Sequence, residues 1–500
     1  MHQKVTVVGC LNSLSSLADT ERRPGYGHAP SWLYIRGDRV GEVDPSWLRA
    51  RSSAVFVYTL GHPGRADNCA WHDRSPKLQS AASEYDFVEL DADIDLDASI
   101  LHGVPVERRI ISWRGEVNSL SDLGRIFDRI TSTPARYYSV VIEPADTAQS
   151  LAPMELLHRI RRTDTFAWAS GTAGTWTRII APRLGAPIVF GNIAERDALG
   201  EPGELSLKQL ASDYGFPALP GIDAIYGIVG SNVSRSLSPR LHNAAYAALG
   251  LPAVFLPFQS DCLRSFQALL DSPFFAEAGM QVKGLTIAAP HKEQASELAE
   301  SREPLVDHAR SSNIHVRNHC GWIAGTTDPD GVIPALQDLG FDFCRAPVAI
   351  VGCGGSGRAI AAVLRDAGSD VTLVNRTVSR GQFASHLLGL PFVPLKDFDP
   401  RGYAVVINAT PLGSLEEESL FSSSALSKNT IVVDQVYRDG ETPLITSARA
   451  RGCPTVNGRQ VLLAQVRCQF QRMVGVNLPL DIARDALGVP RAENMLAAAH

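Results

Sequence analysis

The sequence predicts an α/β protein: a closed parallel (β/α)8 barrel followed by a second, doubly wound α/β region. Three observations carry this. Eight short β-like apolar runs recur through the first 215 residues, many separated by helix-like segments. A Gly/Pro-rich stretch, Asp213–Gly221 (DYGFPALPG), reads as a linker. Beyond it the pattern restarts twice, the second time as strand, glycine turn, helix and strand.

The eight barrel runs are Val5–Gly9, Trp32–Arg36, Ala54–Thr59, Phe87–Leu90, Ile110–Ser112, Tyr138–Ile142, Phe166–Ala169 and Ile188–Phe190, with helices expected at Leu120–Ile130 and Pro153–Ile160. The acidic stretch ELDADIDLDAS (residues 89–99) lacks the glycine and terminal glutamate of an EF-hand and reads as a solvated loop. After the linker, Tyr226–Gly230 is a strand. Proline suits a first helical turn, so a helix starts near Pro239. Val254–Pro257, Val282–Ile287 and Ala346–Val351 are further strands.

Composition bounds the rest. In 500 residues, 45% are hydrophobic and 20% charged, which excludes a mainly disordered or fibrous chain. The net charge of −6 argues against a protein that coats nucleic acid. No apolar run is long enough to span a bilayer, and the N-terminus lacks a signal-peptide core. No membrane partner is expected. The eight cysteines have no CxxC spacing, so reduced thiols and no metal site are expected, in a cytoplasmic protein.

The strongest local chemistry is APVAIVGCGGSGRAIAAVLRDAG followed by SDVTLVNRT. Gly352, Gly354 and Gly355 permit a tight turn and let a pyrophosphate sit on the helix N-terminus. The second strand, Val371–Val374, ends in Asn375-Arg376-Thr377, with Arg380 beyond. The Asp or Glu that would hold the ribose hydroxyls of NAD is missing. Guanidinium groups suit a 2′-phosphate, so the expected cofactor is NADP(H).

From about 222 to 488 the chain resembles shikimate dehydrogenase. The motifs are YGIVGSNVSRSLSPRLHN, GLTIAAPHKE, GTTDPDG, GCGGSGRA, NRTVSR, INATPLG, DQVYRDGETPL and NGRQVLLAQ. The resemblance implies a two-lobed dehydrogenase: an α/β substrate domain over 222–335, a Rossmann NADP domain over 336–465, and C-terminal helices over 466–500 returning to the substrate domain. It implies reduction of 3-dehydroshikimate by NADPH, with Lys292 and Asp328 as catalytic residues. A lysine beside a carbonyl that accepts hydride can stabilise the alkoxide or supply its proton, and an aspartate can orient the lysine. It further implies substrate contacts from Ser236, Ser238, Asn313, Tyr437 and Gln465, and a cofactor contact from Asn408. Ser236 and Ser238 look like the shikimate form, with quinate as a further substrate. The chain departs from the family at Ala288, Thr286 and Thr326, where Thr, Asn or Ser, and Asn are usual. Asn313 sits in SSNIHV rather than AVNT.

The first 215 residues resemble a type I 3-dehydroquinate dehydratase, through EYDFVEL, GTAGTWTRIIAPRLGAP and LGEPGELSL. That family works through a Schiff-base lysine on strand six and a histidine at the end of strand five. Here Val141 and Arg114 stand near those positions, and there is no lysine between Lys77 and Lys208. No neighbouring side chain can form the imine. The barrel reads as catalytically dead. Arg36, Glu89 and Arg178 are then either anion ligands or, by preference, structural ion pairs.

A dead dehydratase barrel fused to a dehydrogenase resembles the fungal arom protein and the related quinate repressor. Two functions follow. One is an NADP-dependent shikimate dehydrogenase acting on a small-molecule substrate, with no direct nucleic-acid partner. The alternative is a regulator, able to enter the nucleus, that senses a pathway metabolite and binds a transcription activator.

Overall fold

The computed structural model describes residues 3–13, 30–41, 43–61, 73–193, 200–219, 221–415, 420–421 and 423–489. The chain divides into two compact units: residues 1–227 with 231–282, and residues 228–230 with 283–500.

The first unit holds the barrel. Its strands are β1 (Thr6–Leu11), β2 (Trp32–Arg36), β3 (Val55–Thr59), β4 (Phe87–Asp91), β5 (Arg109–Gly115), β6 (Tyr137–Ile142), β7 (Thr165–Ala169) and β8 (Ile188–Asn192). The predicted runs differ from these only at their ends. All neighbours pair in parallel from β1 through β7, and β8 pairs with β1. Between β7 and β8 no backbone ladder forms among the described residues. The Trp168 and Phe190 rings meet at that seam, their centroids 4.9 Å apart, and Phe166 lies 5.6 Å from Phe190. Helices expected at 120–130 and 153–160 span Leu120–Thr131 and Ala152–Ile160. Ser119 caps the first through the Asp122 N–H.

Three expectations change. The acidic stretch is not wholly solvated. Asp95 is fully buried and takes a bidentate ion pair from Arg74 at 2.6 and 2.7 Å, while Asp97 caps the helix Ala98–Gly103. A buried carboxylate needs such a partner. The stretch 213–221 is no free linker: Ala218–Leu219 pairs antiparallel with Gln3–Lys4 at the start of the chain. Nor does compactness break there. Helix Ser238–Ala248 packs on Leu207–Tyr214, and Arg240 pairs with Asp213 at 2.7 Å. The buried indole of Trp176 lies against Phe258 and Phe275, at 5.6 and 6.0 Å between centroids. Thr147 Oγ1 donates to the Gln259 carbonyl at 3.2 Å. These contacts bind residues 231–282 to the barrel.

The second unit holds a six-stranded parallel sheet in the order Phe392–Pro394, Asp370–Asn375, Pro347–Val351, Val405–Asn408, Ile431–Asp434, Thr455–Val456. That is the doubly wound 3-2-1-4-5-6 arrangement, with a crevice where the order reverses beside the first strand. Val348, Ile350, Ile360, Leu364, Leu373 and Ile407 form its core. Also here are the antiparallel strands Ile314–Asn318 and Gly321–Gly325, the former paired with Gln281–Ile287. The expected boundary at 465/466 falls inside a helix, Gly458–Val474. A second helix follows at Leu480–Leu487. Asn457 and Gln460 form a capping box that fixes the start of the first.

The seven described cysteines are free thiols, and Cys69 lies outside the described residues. No helix among the described residues is long and apolar enough to cross a membrane, and no cluster of metal-ligating side chains occurs among them.

Candidate active site

Lys292 opens the helix Lys292–Leu298, five residues after the strand Gln281–Ile287 ends. Its ammonium donates to both oxygens of Asp328, at 2.9 and 2.8 Å, and to Ser356 Oγ at 2.7 Å. Asp328 is 2% exposed. Its Oδ1 also accepts from Asn313 Nδ2 at 3.0 Å and from Gln465 Nε2 at 3.1 Å. Four residues that are far apart in sequence thus meet at one carboxylate.

A further layer holds them. The Asn313 carboxamide oxygen accepts from the Thr327 N–H at 2.7 Å. Gln469 Nε2 donates to Thr327 Oγ1, and Thr286 Oγ1 donates to Gln469 Oε1, both at 3.1 Å. The hydroxyl of Thr286, a departure from the family pattern, therefore anchors the Gly458–Val474 helix. Gln469 was not foreseen, although its i, i+4 spacing from Gln465 puts both on one helix face. Thr326 Oγ1 accepts from the Asp328 N–H at 3.4 Å. Tyr437 is half-buried beyond the strand Ile431–Asp434, its backbone closely packed on Gly458.

Ser236 and Ser238 belong to the first unit. Ser236 Oγ accepts from the Ser238 N–H at 3.2 Å, and buried Ser238 opens its helix ahead of Pro239.

The glycine turn is built for close backbone approach. Gly352 has φ +112°, which favours glycine. A Cβ at Gly357 would stand 1.8 Å from the Gly352 carbonyl oxygen. That fourth glycine, not among those singled out from the sequence, seats the helix Gly355–Asp366 against the turn. A Cβ at Gly355 would stand 2.1 Å from Ser311 Oγ, a buried hydroxyl with no hydrogen-bond partner among the described residues. Gly354 caps the helix without a side chain. The turn and its helix N-terminus fit a dinucleotide pyrophosphate.

The other cofactor candidates separate. Asn375 Oδ1 accepts from the Cys353 N–H at 3.1 Å, and its Nδ2 donates to the Thr377 carbonyl at 2.8 Å, so it braces the turn. Arg376 and Thr377 are exposed, and no hydrogen bond or ion pair holds the Arg376 guanidinium among the described residues. Arg380 is engaged by Glu293 at 2.6 Å. Glu293 also accepts from buried Arg358 at 3.0 Å. Burial works to raise its pKa, but the two guanidinium groups outweigh it and hold the carboxyl below its ordinary value. Asn408 is saturated: it donates to Asp434 Oδ1 and the Leu412 carbonyl and accepts from Thr410 N and Oγ1. It organises its loop.

In the barrel, a cavity of about 500 Å³ opens at the C-terminal ends of the strands, where barrel enzymes place their sites. Val141 and Arg114 line it, as do Arg36, Glu89 and Arg178, and no lysine does among the described residues. Arg114 pairs with Glu143 at 2.9 Å and with Glu201. Arg36 pairs with Asp38 at 2.6 Å, and Glu89 accepts from Thr59 at 2.5 Å while burial raises its pKa. Arg178 forms the preferred ion pair, with Glu204, at long range. Its side chain is 3% exposed, its Nε has no hydrogen-bond partner among the described residues, and it has Glu204 at 4.0 Å and the Trp168 ring at 4.9 Å.

The fold and these sites define a class: a dinucleotide-binding dehydrogenase of the doubly wound type, carried behind a (β/α)8 barrel. Comparison with known proteins makes this specific. Residues 228–314 match the shikimate dehydrogenase substrate binding domain, and residues 68–218 match type I 3-dehydroquinase. A shikimate dehydrogenase (NADP(+)) of Methanocella arvoryzae is 33% identical over 274 residues, covering 53% of this chain and 99% of that protein. The chain belongs to the shikimate dehydrogenase family and carries a type I dehydroquinase domain ahead of it. The chloroplastic bifunctional 3-dehydroquinate dehydratase/shikimate dehydrogenase of Arabidopsis thaliana is 28% identical over 387 residues; the match covers 73% of this chain and 62% of that protein. The solved structure of dehydroquinate dehydratase and shikimate dehydrogenase from S. pombe AroM aligns over 97% of this chain and 98% of that one, at 18% identity and a TM-score of 0.44.

Proposed function

We propose that the chain is an NADP-dependent shikimate dehydrogenase that reduces 3-dehydroshikimate to shikimate, with quinate as a further substrate. The observation that carries this is the Lys292–Asp328 pair, bidentate at 2.8–2.9 Å and braced by Asn313 and Gln465, in the same unit as the glycine turn. The relatives named as shikimate dehydrogenase (NADP(+)) support the substrate and the cofactor.

NADPH supplies the hydride. Gly352, Gly354, Gly355 and the following helix N-terminus hold its pyrophosphate, and Arg376 meets the 2′-phosphate. Arg380 is shared with Glu293 and contributes less. Lys292 faces the substrate carbonyl oxygen, stabilises the negative charge that develops there and delivers the proton from Nζ. Asp328 balances the ammonium and fixes its direction. Gln465 spends one N–H on Asp328 and offers the other to a substrate hydroxyl, whereas Asn313 spends its N–H groups on Asp328 and, at 3.1 Å, on Thr327 Oγ1, and so serves to position the pair. In this reading Ser236 and Ser238 bind the carboxylate, and Tyr437 is a further substrate contact. Four segments follow in this reading: barrel (1–215), substrate domain (222–335), NADP domain (336–465) and C-terminal helices (466–500).

In the barrel the dehydratase reaction is absent, because Val141 offers no amine and Arg114 is committed to Glu143 and Glu201. A second reading has one observation in its favour: the buried Arg178 Nε, which has no hydrogen-bond partner among the described residues, in a 500 Å³ cavity. Buried polar groups are nearly always paired, so this one suits an anionic metabolite. Such a barrel would serve a regulator that senses a pathway metabolite and engages a transcription activator. Oxidation of NADPH with 3-dehydroshikimate, and its reverse with shikimate and quinate, separates the two. Turnover supports the enzyme; binding without turnover supports the sensor.

A further inference from the structure

The Lys292 ammonium has three N–H donors, and all three have partners in its own unit: two reach Asp328 and the third reaches Ser356 Oγ at 2.7 Å. Ser356 is no part of the lysine's local sequence. It lies 64 residues on, in the first turn of the 12-residue helix Gly355–Asp366 that follows the glycine turn. Ser311, whose buried hydroxyl has no partner among the described residues, flanks the same helix start. The Ser312 N–H donates to the Lys292 carbonyl at 2.9 Å, so this segment also fixes the lysine backbone.

We infer that Ser356 is a positioning residue that ties the Lys292 ammonium to the dinucleotide turn, so that the lysine's placement depends on whether that turn holds its cofactor. The inference rests on the dehydrogenase reading. A hydroxyl accepts and donates at once. Ser356 Oγ accepts from Lys292 and keeps its own O–H for an anionic oxygen at the helix N-terminus, where pyrophosphates bind. Donation to a phosphate polarises the hydroxyl and strengthens its hold on the lysine. Asp328 alone cannot supply this coupling, since its other partners, Asn313 and Gln465, lie outside the glycine turn.

The sequence contains seven lysines, so a selectively ¹⁵N-lysine-labelled full-length chain gives a sparse ammonium spectrum, and Lys292→Arg assigns the signal. NADP⁺ alone is the probe, with binding followed in parallel by calorimetry. In wild type, NADP⁺ shifts the Lys292 ammonium signal and slows its solvent exchange. In Ser356→Ala and in Ser356→Cys, NADP⁺ still binds but the Lys292 signal no longer responds, and Ser356→Thr, which keeps the hydroxyl, restores the response. With substrate and saturating NADPH, Ser356→Ala lowers kcat about tenfold, the loss of one hydrogen bond to a charged group, and KM for NADPH rises about tenfold, because the same hydroxyl donates to the phosphate. A Lys292 signal that responds to NADP⁺ equally with and without the hydroxyl overturns the proposal, as does a wild-type signal that ignores bound NADP⁺. Failure of NADP⁺ to bind wild type at all defeats the dehydrogenase reading, and this proposal falls with it.

Discussion

Replacing Asp328 by asparagine removes one charge and changes almost no volume, so its consequence can be worked from the site. The carboxylate accepts four hydrogen bonds: two from Lys292, one from Asn313 and one from Gln465. An amide keeps one acceptor oxygen. Placed at the Oδ1 position, that oxygen satisfies three donors, and the new NH2 then faces the Lys292 ammonium across a gap that was 2.8 Å. The flipped amide is worse, because it turns a donor on three donors. Lysine therefore loses its countercharge and one of its two bonds to this residue. The gross attraction at that distance is about 6 kcal/mol at an effective dielectric of about 20. Much of it only offsets desolvation, and breaking a buried pair on one side costs about 3–5 kcal/mol net. Lys292 is 19% exposed, which places this case at the lower end, about 3 kcal/mol. Asp328→Asn should lower kcat by about 10²–10³-fold, since the acid–base group loses its alignment. It should leave NADPH affinity within about threefold of wild type, because the glycine turn is untouched. NADPH oxidation kinetics with 3-dehydroshikimate, beside calorimetry with NADP⁺ and a thermal melt, give all three quantities. A variant with near wild-type kcat, or one whose loss lies wholly in NADPH binding, would refute the role given to this pair.

Three further outcomes are expected. Arg376→Ala should weaken NADP⁺ binding far more than NAD⁺ binding, whereas Glu293→Gln should free Arg380 and tighten NADP⁺ severalfold; calorimetry showing equal changes for both cofactors counts against this. Borohydride with 3-dehydroquinate should leave the barrel unmodified, because no amine lines its cavity among the described residues; a covalent adduct found there by mass spectrometry reverses that reading. Stability should fall on acidification below about pH 6.5. Burial lowers the pKa of His242 to about 3 and of His315 to about 4, so the unfolded chain binds more protons below its own histidine pKa. Their contribution is complete above the unfolded pKa and is lost as pH falls toward the folded values. At pH 5.5 each histidine costs about 1.4 kcal/mol, and His242→Phe should flatten that slope in urea titrations.

The sequence by itself determined the eight barrel strands and the first two strands of the parallel sheet, because apolar runs bounded by Gly and Pro are local signals. It also determined the glycine turn, where Gly352 is required by a positive φ. The pairing of Lys292 with Asp328, named from motifs 36 residues apart, is a direct bond in the structure. Only the tertiary structure decided who else shares that bond. Ser356 and Gln469 carry no local signature of their role, because a hydrogen-bond partner is chosen by the meeting of elements distant in sequence. The same holds for the charges. Arg376 and Arg380 look equivalent in NRTVSR, yet Glu293 takes Arg380 and leaves Arg376 exposed. Asp95 looked solvated in an acidic stretch, yet Arg74 buries it. Arg178 keeps its ion pair with Glu204, yet only at 4.0 Å and with its Nε left without a hydrogen bond. Charge in a sequence fixes what a side chain can do; the distance to its neighbours, set by packing, fixes what it does.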